Sequence, residues 1–394
     1  MKLKVIFSVI LAMVMQGTKA QDSVFCYTHQ DVTLYYTIDS VGNAMLVSPI
    51  WPHFDRDNNE SWTGYTKPQG EVVVPDSVPF DGRSHAVTRV DDKALYRCDK
   101  VTSVKLPNTI TTIGKWAFNQ CSSLESVFLG QGIDTIGYCA FRECVNLCSI
   151  NFPSSLKVID DFAFQYDGRL SIDLVLPEGF TSLGVVAFGD CVNLTSVSLP
   201  GTMKEVPPEV FWGCSSLSYV IIAEGITKIG ESAFISCPSL HKLTLPSTLE
   251  CIDDSVFHEG TPIDTLVLRS GVPPTVGNGV FADYHTVIIV PQGTIGAYRQ
   301  HRVWTLFPNI IENETSAIRT MQHNTPTDIY YDMQGHRLNS RPQGMGIYIR
   351  NGKKIIMATA AHHTNIAVTI KNRYNNVDYI IKYRKRTNET LTLQ

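Results

Sequence analysis

The chain has 394 residues, a net charge of −4 and 43 % apolar residues, an ordinary balance for a folded protein with room for more than one domain. Charged residues make up 18 %, below the usual quarter. There is no basic excess to meet a phosphate backbone, so nucleic acid is excluded as an expected partner.

At the N-terminus, Met1-Lys2-Leu3-Lys4 is a short basic segment and Val5 to Met15 an apolar run. Thr18 and Ala20 then place small residues at −3 and −1 before Gln21, which is the pattern of a signal peptide over residues 1–20. Eleven apolar residues are too few to cross ~30 Å of hydrocarbon. No later stretch is long and apolar enough to span a bilayer, so no transmembrane span is expected in the mature chain. It is expected to be exported to the cell surface or beyond, with the periplasm as the alternative.

Residues 21–88 read as a small N-terminal β cap. Val32 to Ile38 and Ala44 to Val47 are strand-like, with a turn at Val41-Gly42-Asn43, and Glu71 to Val74 is a further strand ending at Pro75. A cap is needed because the open end of a repeat array exposes apolar surface and unpaired backbone. Asp55 to Glu60 is acidic like a calcium loop, but Glu60 stands where such a loop needs glycine and Thr66 where it needs glutamate. It reads as a solvated loop.

From residue 89 to 311 one pattern repeats. Phe118, Phe141, Phe164, Phe188, Phe211, Phe234, Phe257 and Phe281 are spaced by 23 residues, with 24 twice. A fixed period in this range means a solenoid whose units bury their apolar faces only by stacking. Val90 to Cys98 is a degenerate first unit with Leu95 in the phenylalanine position. Segments such as Ser196-Val197-Ser198-Leu199 alternate like short strands, I-x-x-I-G steps send two more apolar side chains inward, and the A-F pair sits on a helical or 3-10 turn. Six cysteines keep the beat (Cys98, Cys121, Cys144, Cys191, Cys214, Cys237), with Asp167 and Gly260 in the same slot elsewhere. Small buried cysteines are common in cores, so this column reads as packing and not as disulfides. The state of Cys26, Cys139, Cys148 and Cys251 stays open.

The L-x-x-V-x-L signature of Leu124-Val127-Leu129 and Leu194-Val197-Leu199, with a cysteine ahead of the first leucine, resembles the BspA-like (type 5) leucine-rich repeats of bacterial surface proteins. The entry segment VTLYYTIDSVGNAMLVSP, and a closing segment with Val290-Pro291-Gln292-Gly293, Ala297-Tyr298 and an apolar plug from Trp304 to Ile311, also look like that family's. The resemblance implies a leucine-rich-repeat solenoid, with a parallel β-sheet on the concave side and short helical or 3-10 turns on the convex side. It further implies no catalysis, and adhesion to host matrix glycoproteins such as fibronectin or fibrinogen, or coaggregation with other bacteria. The alternative is a structural or envelope-assembly protein with no host ligand.

Residues 312–327 form a polar linker by composition. Residues 328–357 hold two alternating arms joined through Asn351-Gly352, a β-hairpin module similar to the C-terminal modules of secreted Bacteroidota proteins. Residues 358–394 are a basic tail that resembles nothing familiar.

No catalytic constellation, cofactor motif or metal site emerges. Cys139, Cys144 and Cys148 have metal-like spacing, but Cys144 belongs to the packing column and zinc needs four convergent ligands. What remains is the surface between the inward strand residues. Phe128, Val175, Tyr219, Ile221, Lys242, Val267 and Ile288 are the candidate binding residues of an expected monomer that takes a protein or glycoprotein ligand.

Overall fold

The computed structural model describes residues 24–51 and 61–313 with their side chains, and seven short strands within residues 330–392. The chain divides into two units, residues 1–314 and 315–394. The signal-peptide region, the acidic loop at residues 55–60, and the Asn351-Gly352 turn lie outside the described residues.

The first unit is a parallel β-solenoid of roughly ten turns. Each turn has two strand positions. The longer, such as Ser196–Leu199 or Lys242–Leu245, buries alternate residues and pairs in parallel with its neighbours. The shorter comes from the I-x-x-I-G step, for example Thr112–Ile113 and Thr135–Ile136, and builds further parallel ladders that periodicity did not reveal, one from Thr112–Ile113 to Ser182–Leu183 and one from Glu205–Val206 to Thr275–Val276.

The convex corner is a run of hydrogen-bonded turns, with i→i−3 bonds of the 3-10 kind that never propagate. In one rung, the N–H groups of Ala117, Asn119 and Cys121 bond within the rung to Gly114, Trp116 and Phe118. Those of Trp116, Phe118 and Gln120 donate instead to Tyr138, Ala140 and Arg142 of the next rung. This alternation satisfies every backbone donor of the corner without a helix. It requires left-handed backbone at Trp116 (φ 54°) and Gln120 (φ 59°), a conformation disfavoured for side chains with a Cβ. Even β-branched Val186 adopts it (φ 56°), held by the same bonds.

The inward phenylalanines form one stack. From Phe118 to Phe257 successive ring centroids lie 5.0–6.1 Å apart with interplanar angles of 3–18°. The stack ends against Trp304 and Phe307. Trp304 Nε1–H donates to Pro274 O (3.0 Å) and Tyr298 O–H to Ser270 O (2.8 Å), so the closing plug buries aromatic bodies with their polar atoms paired. At the other end, strand Val32–Ile38 pairs antiparallel with Phe25–His29 and with Ala44–Val47. The Asp81-Gly82 hairpin joins Ser77–Phe80 to Arg83–Val90 and completes the cap.

All ten cysteines are free. Five column thiols donate to backbone carbonyls of the preceding rung, as Cys214 Sγ does to Phe188 O (3.1 Å). The column is therefore hydrogen-bonded as well as packed. Gly260 does not fill the slot: Thr261 does, its hydroxyl donating to Phe234 O (2.6 Å), because a glycine has nothing to offer that carbonyl.

The concave face is two sheets. Four strands run from Gly70–Val73 to Ser149–Ile150, and seven from Asp173–Val175 to Ile310–Glu312. The break falls where the period lengthens to 24, with one extra residue between Leu170 and Leu174. Just past the short edge strand Ser149–Ile150, the Asn151 side chain continues its pairing with the preceding rung: its Oδ1 accepts Leu129 N–H (2.7 Å) and its Nδ2–H donates to Leu129 O (2.8 Å). Asn151→Ala is expected to destabilise the solenoid by roughly 1–3 kcal/mol in urea unfolding, because both Leu129 groups lose their partner.

In the second unit, Gly346–Arg350 and Lys353–Met357 pair antiparallel, as do Ile366–Lys371 and Asp378–Tyr383. Among the described residues no helix is long and apolar enough to cross a membrane.

Candidate binding surface

Outward-facing residues of the seven-stranded sheet stand in two rows. The register aligns Val175, Ser198, Ile221, Thr244, Val267, Ile289 and Ile311 in the first. The second runs Asp173, Ser196, Tyr219, Lys242, Thr265, Val287. At about 4.8 Å per strand, Ile221 to Ile311 spans roughly 19 Å.

Of the residues expected from sequence, Tyr219 (53 % exposed), Ile221 (43 %), Lys242 and Val267 fall together on the later strands. Val175 is exposed on the first strand of this sheet, beside polar Ser198. Phe128 is exposed too, but on the separate four-stranded sheet, next to Lys105, whose Nζ pairs with Glu71 (2.6 Å). It does not join the others.

Ile288 is a correction. It is fully buried and faces the core; Ile289 takes its place in the row. The step from Val267 to Ile289 is 22 residues, one short of the period. Four consecutive β-branched residues, Val287 to Val290, show no alternation from which the phase could be read.

Three residues were missed. Val287 and Ile289 are half-buried, and Ile311 is 50 % exposed on the edge strand, not part of the plug. Together with Tyr219, Ile221 and Val267 they make an apolar patch, interrupted by Thr265 and by one strand whose outward residues, Lys242 and Thr244, are polar. Its borders are polar: Asp264 Oδ2 accepts from His241 Nδ1 (2.8 Å), and Glu224 accepts the Ser247 N–H (2.9 Å) and hydroxyl (2.9 Å). Burial opposes ionisation of Glu224, but these bonds and Arg269 prevail and hold its carboxyl below the usual range.

Beside the last strands lies a groove of about 540 Å³, lined by Phe257, Thr261, Asp264, Phe281, Asp283 and His285 among others. It opens where the period again lengthens to 24, between Phe257 and Phe281.

Among the described residues no three His, Cys, Asp or Glu side chains are placed to hold a metal ion. The column thiols are raised by burial, Cys121 and Cys237 up to about 12, which makes them poor nucleophiles. The surface offers shape, apolar contact and a charged rim.

A sequence model described as "BspA type Leucine rich repeat region" matches residues 88–174 and 169–287, in six copies. No curated protein matches the chain. Among solved structures, the chain is similar to a leucine-rich-repeat protein of T. pallidum, at 30 % identity over 52 % of this chain and 86 % of that one, with a TM-score of 0.44. It is also similar to a leucine-rich-repeat protein from Bacteroides ovatus, at 21 % identity over 73 % and 76 %, with a TM-score of 0.48. The pneumococcal vaccine antigen PcpA matches at 17 % identity over 75 % of this chain and 100 % of its own, with a TM-score of 0.34.

Proposed function

The chain belongs to the BspA-type leucine-rich-repeat family, whose members are as a rule binding proteins without catalysis, and from that premise we propose that it is an exported, surface-displayed adhesin. Its ligand is a protein or glycoprotein, of the host matrix (fibronectin and fibrinogen are the first candidates) or of another bacterium. The observation that carries this reading is the apolar patch of Val267, Val287, Ile289 and Ile311 on the last three strands, with Tyr219 and Ile221 one strand across from it. Scattered exposed apolar residues are ordinary, whereas a continuous patch with a polar rim is the layout of an interaction site. Tyr219 is the anchor, as a large ring with a polar tip. The protein acts as a monomer and gains avidity from many copies on one cell.

Equilibrium binding of the purified full chain to a panel of matrix glycoproteins and mucin glycans, at physiological salt, tests the reading. The Tyr219→Ala/Ile221→Ser double variant is expected to bind at least tenfold more weakly, with its circular dichroism unchanged. An undiminished affinity would keep the adhesin and discard this site. If folded wild-type protein bound nothing on the panel, the adhesin reading would fail. Protease shaving of intact cells tests display separately: protection until the outer membrane is opened would exclude it.

A further inference from the structure

Behind the phenylalanine stack, one slot recurs in eight successive rungs: Cys98, Cys121, Cys144, Asp167, Cys191, Cys214, Cys237 and Thr261, all buried. The side chain in this slot serves the carbonyl of the preceding rung. Cys121 donates to Leu95 O, Cys144 to Phe118 O, Cys191 to Phe164 O, Cys214 to Phe188 O and Cys237 to Phe211 O, each at 3.1–3.2 Å. Thr261 does two things at once. Its oxygen accepts Cys237 N–H (2.9 Å) while its hydroxyl donates to Phe234 O (2.6 Å).

Asp167 makes the first of these two bonds, its Oδ1 accepting Cys144 N–H (2.8 Å). Its Oδ2 is buried without a partner. Among the described residues, Phe141 O is the carbonyl in this series to which no slot side chain donates. A carboxylate cannot supply the missing donor, but a carboxylic acid can.

We propose that Asp167 is protonated in the folded protein at neutral pH, with Oδ2–H donating to Phe141 O, and that it acts as a proton-dependent latch between the two halves of the solenoid. Its position gives the latch its meaning. Asp167 lies between strands Val158–Ile159 and Asp173–Val175, and Cys144 in the rung that leads into Ser149–Ile150. Ser149–Ile150 and Asp173–Val175 belong to different sheets, so the Asp167 bond joins rungs where the concave ladder is interrupted. Of the groups around it, Glu143, which pairs with Arg142, opposes a negative charge on Asp167, while the Cys144 N–H favours one; the buried Cys144 and Cys191 thiols flank it in the adjacent rungs, with Asp190 beyond Cys191. Burial acts most strongly and pushes the Asp167 carboxyl far above the usual range.

A carboxyl raised in the folded state contributes stability that is full below its unfolded value, near 4, and is lost as pH rises through the folded value. Urea unfolding of the full chain, wild type against Asp167→Asn, is compared from about pH 4 to pH 8. Asparagine keeps the acceptor and donates at every pH. The wild-type folding constant relative to the variant is expected to fall about tenfold per pH unit across this window until the folded value is reached. Infrared spectra of the wild type at neutral pH are expected to show a protonated-carboxyl band that the variant lacks. A ratio independent of pH, or the absence of that band, would overturn the proposal. Asp167→Cys, which restores the column, serves the same comparison should the asparagine variant not fold.

Discussion

Phe188→Ala is expected to lower the stability of the solenoid by roughly 3–5 kcal/mol. The ring is fully buried, with Phe164 5.1 Å away on one side and Phe211 6.1 Å on the other. Neither neighbour can move in to fill the space. Phe164 N–H is tied to Ala187 O (2.8 Å) and Phe188 N–H to Val210 O (3.0 Å), so the backbone holds the spacing after the ring is gone. The cavity therefore persists, which is the condition for the upper part of the range. Because each rung touches only its neighbours, the cut should also loosen coupling between the two halves and broaden the unfolding transition. Phe281→Ala is the comparison. That ring is tilted 34° from Phe257, 8 % exposed and beside the open groove, so its loss should cost less. Urea unfolding followed by circular dichroism measures both, and equal costs would refute the claim that the mid-array stack is rigid.

The second large effect is alkaline unfolding between about pH 8 and 10.5. Cys98, Cys121, Cys144, Cys191, Cys214 and Cys237 are raised above the ordinary thiol value of 9.0, burial being the first cause in each. The sign follows from proton binding. Above pH 9 the unfolded chain releases these protons while the folded chain keeps them, so stability falls as pH rises. One thiol contributes about 1.4 kcal/mol per pH unit, and six give a slope of about 8 kcal/mol per pH unit. Domain stabilities are of order 5–15 kcal/mol, so the solenoid should unfold within one to two pH units of the thiol range. The Cys191→Ser/Cys214→Ser variant keeps a hydroxyl donor in each slot but does not titrate there, and should reduce the slope by about a third. An unchanged slope would mean that other groups drive the transition. Tyr36 and Tyr298, also raised by burial, act in the same direction at still higher pH.

Much of this fold is legible from spacing. The phenylalanine period, the inward valine and leucine positions, the strands Val32–Ile38 and Ala44–Val47, and the aromatic plug at Trp304 are all readable in the sequence. Each is a local statement: a residue's burial follows from its place in a repeated unit whose apolar face must be covered. The Asp81-Gly82 hairpin was missed although its turn signal stands in the sequence, because Pro79 and Ser84-His85 mask the alternation around it.

The binding surface was half legible. Tyr219 and Ile221 sit in the all-apolar strand Tyr219–Ile222, but they stand one full period after Ser196 and Ser198 of an alternating strand, so their outward direction could be read from the repeat. Ile288 could not be separated from Ile289, and Ile311 looked like plug material, since an all-apolar strand carries no sign of which face meets water. The sequence alone determined the solenoid, its period and the membership of its core, because these follow from a pattern carried within each unit. Only the tertiary structure decided where the concave sheet breaks, which residues share its outer rows, and that Asp167 lacks a second partner. Those outcomes depend on register summed over many rungs, and one residue more or less in a loop turns a side chain from the core to the surface.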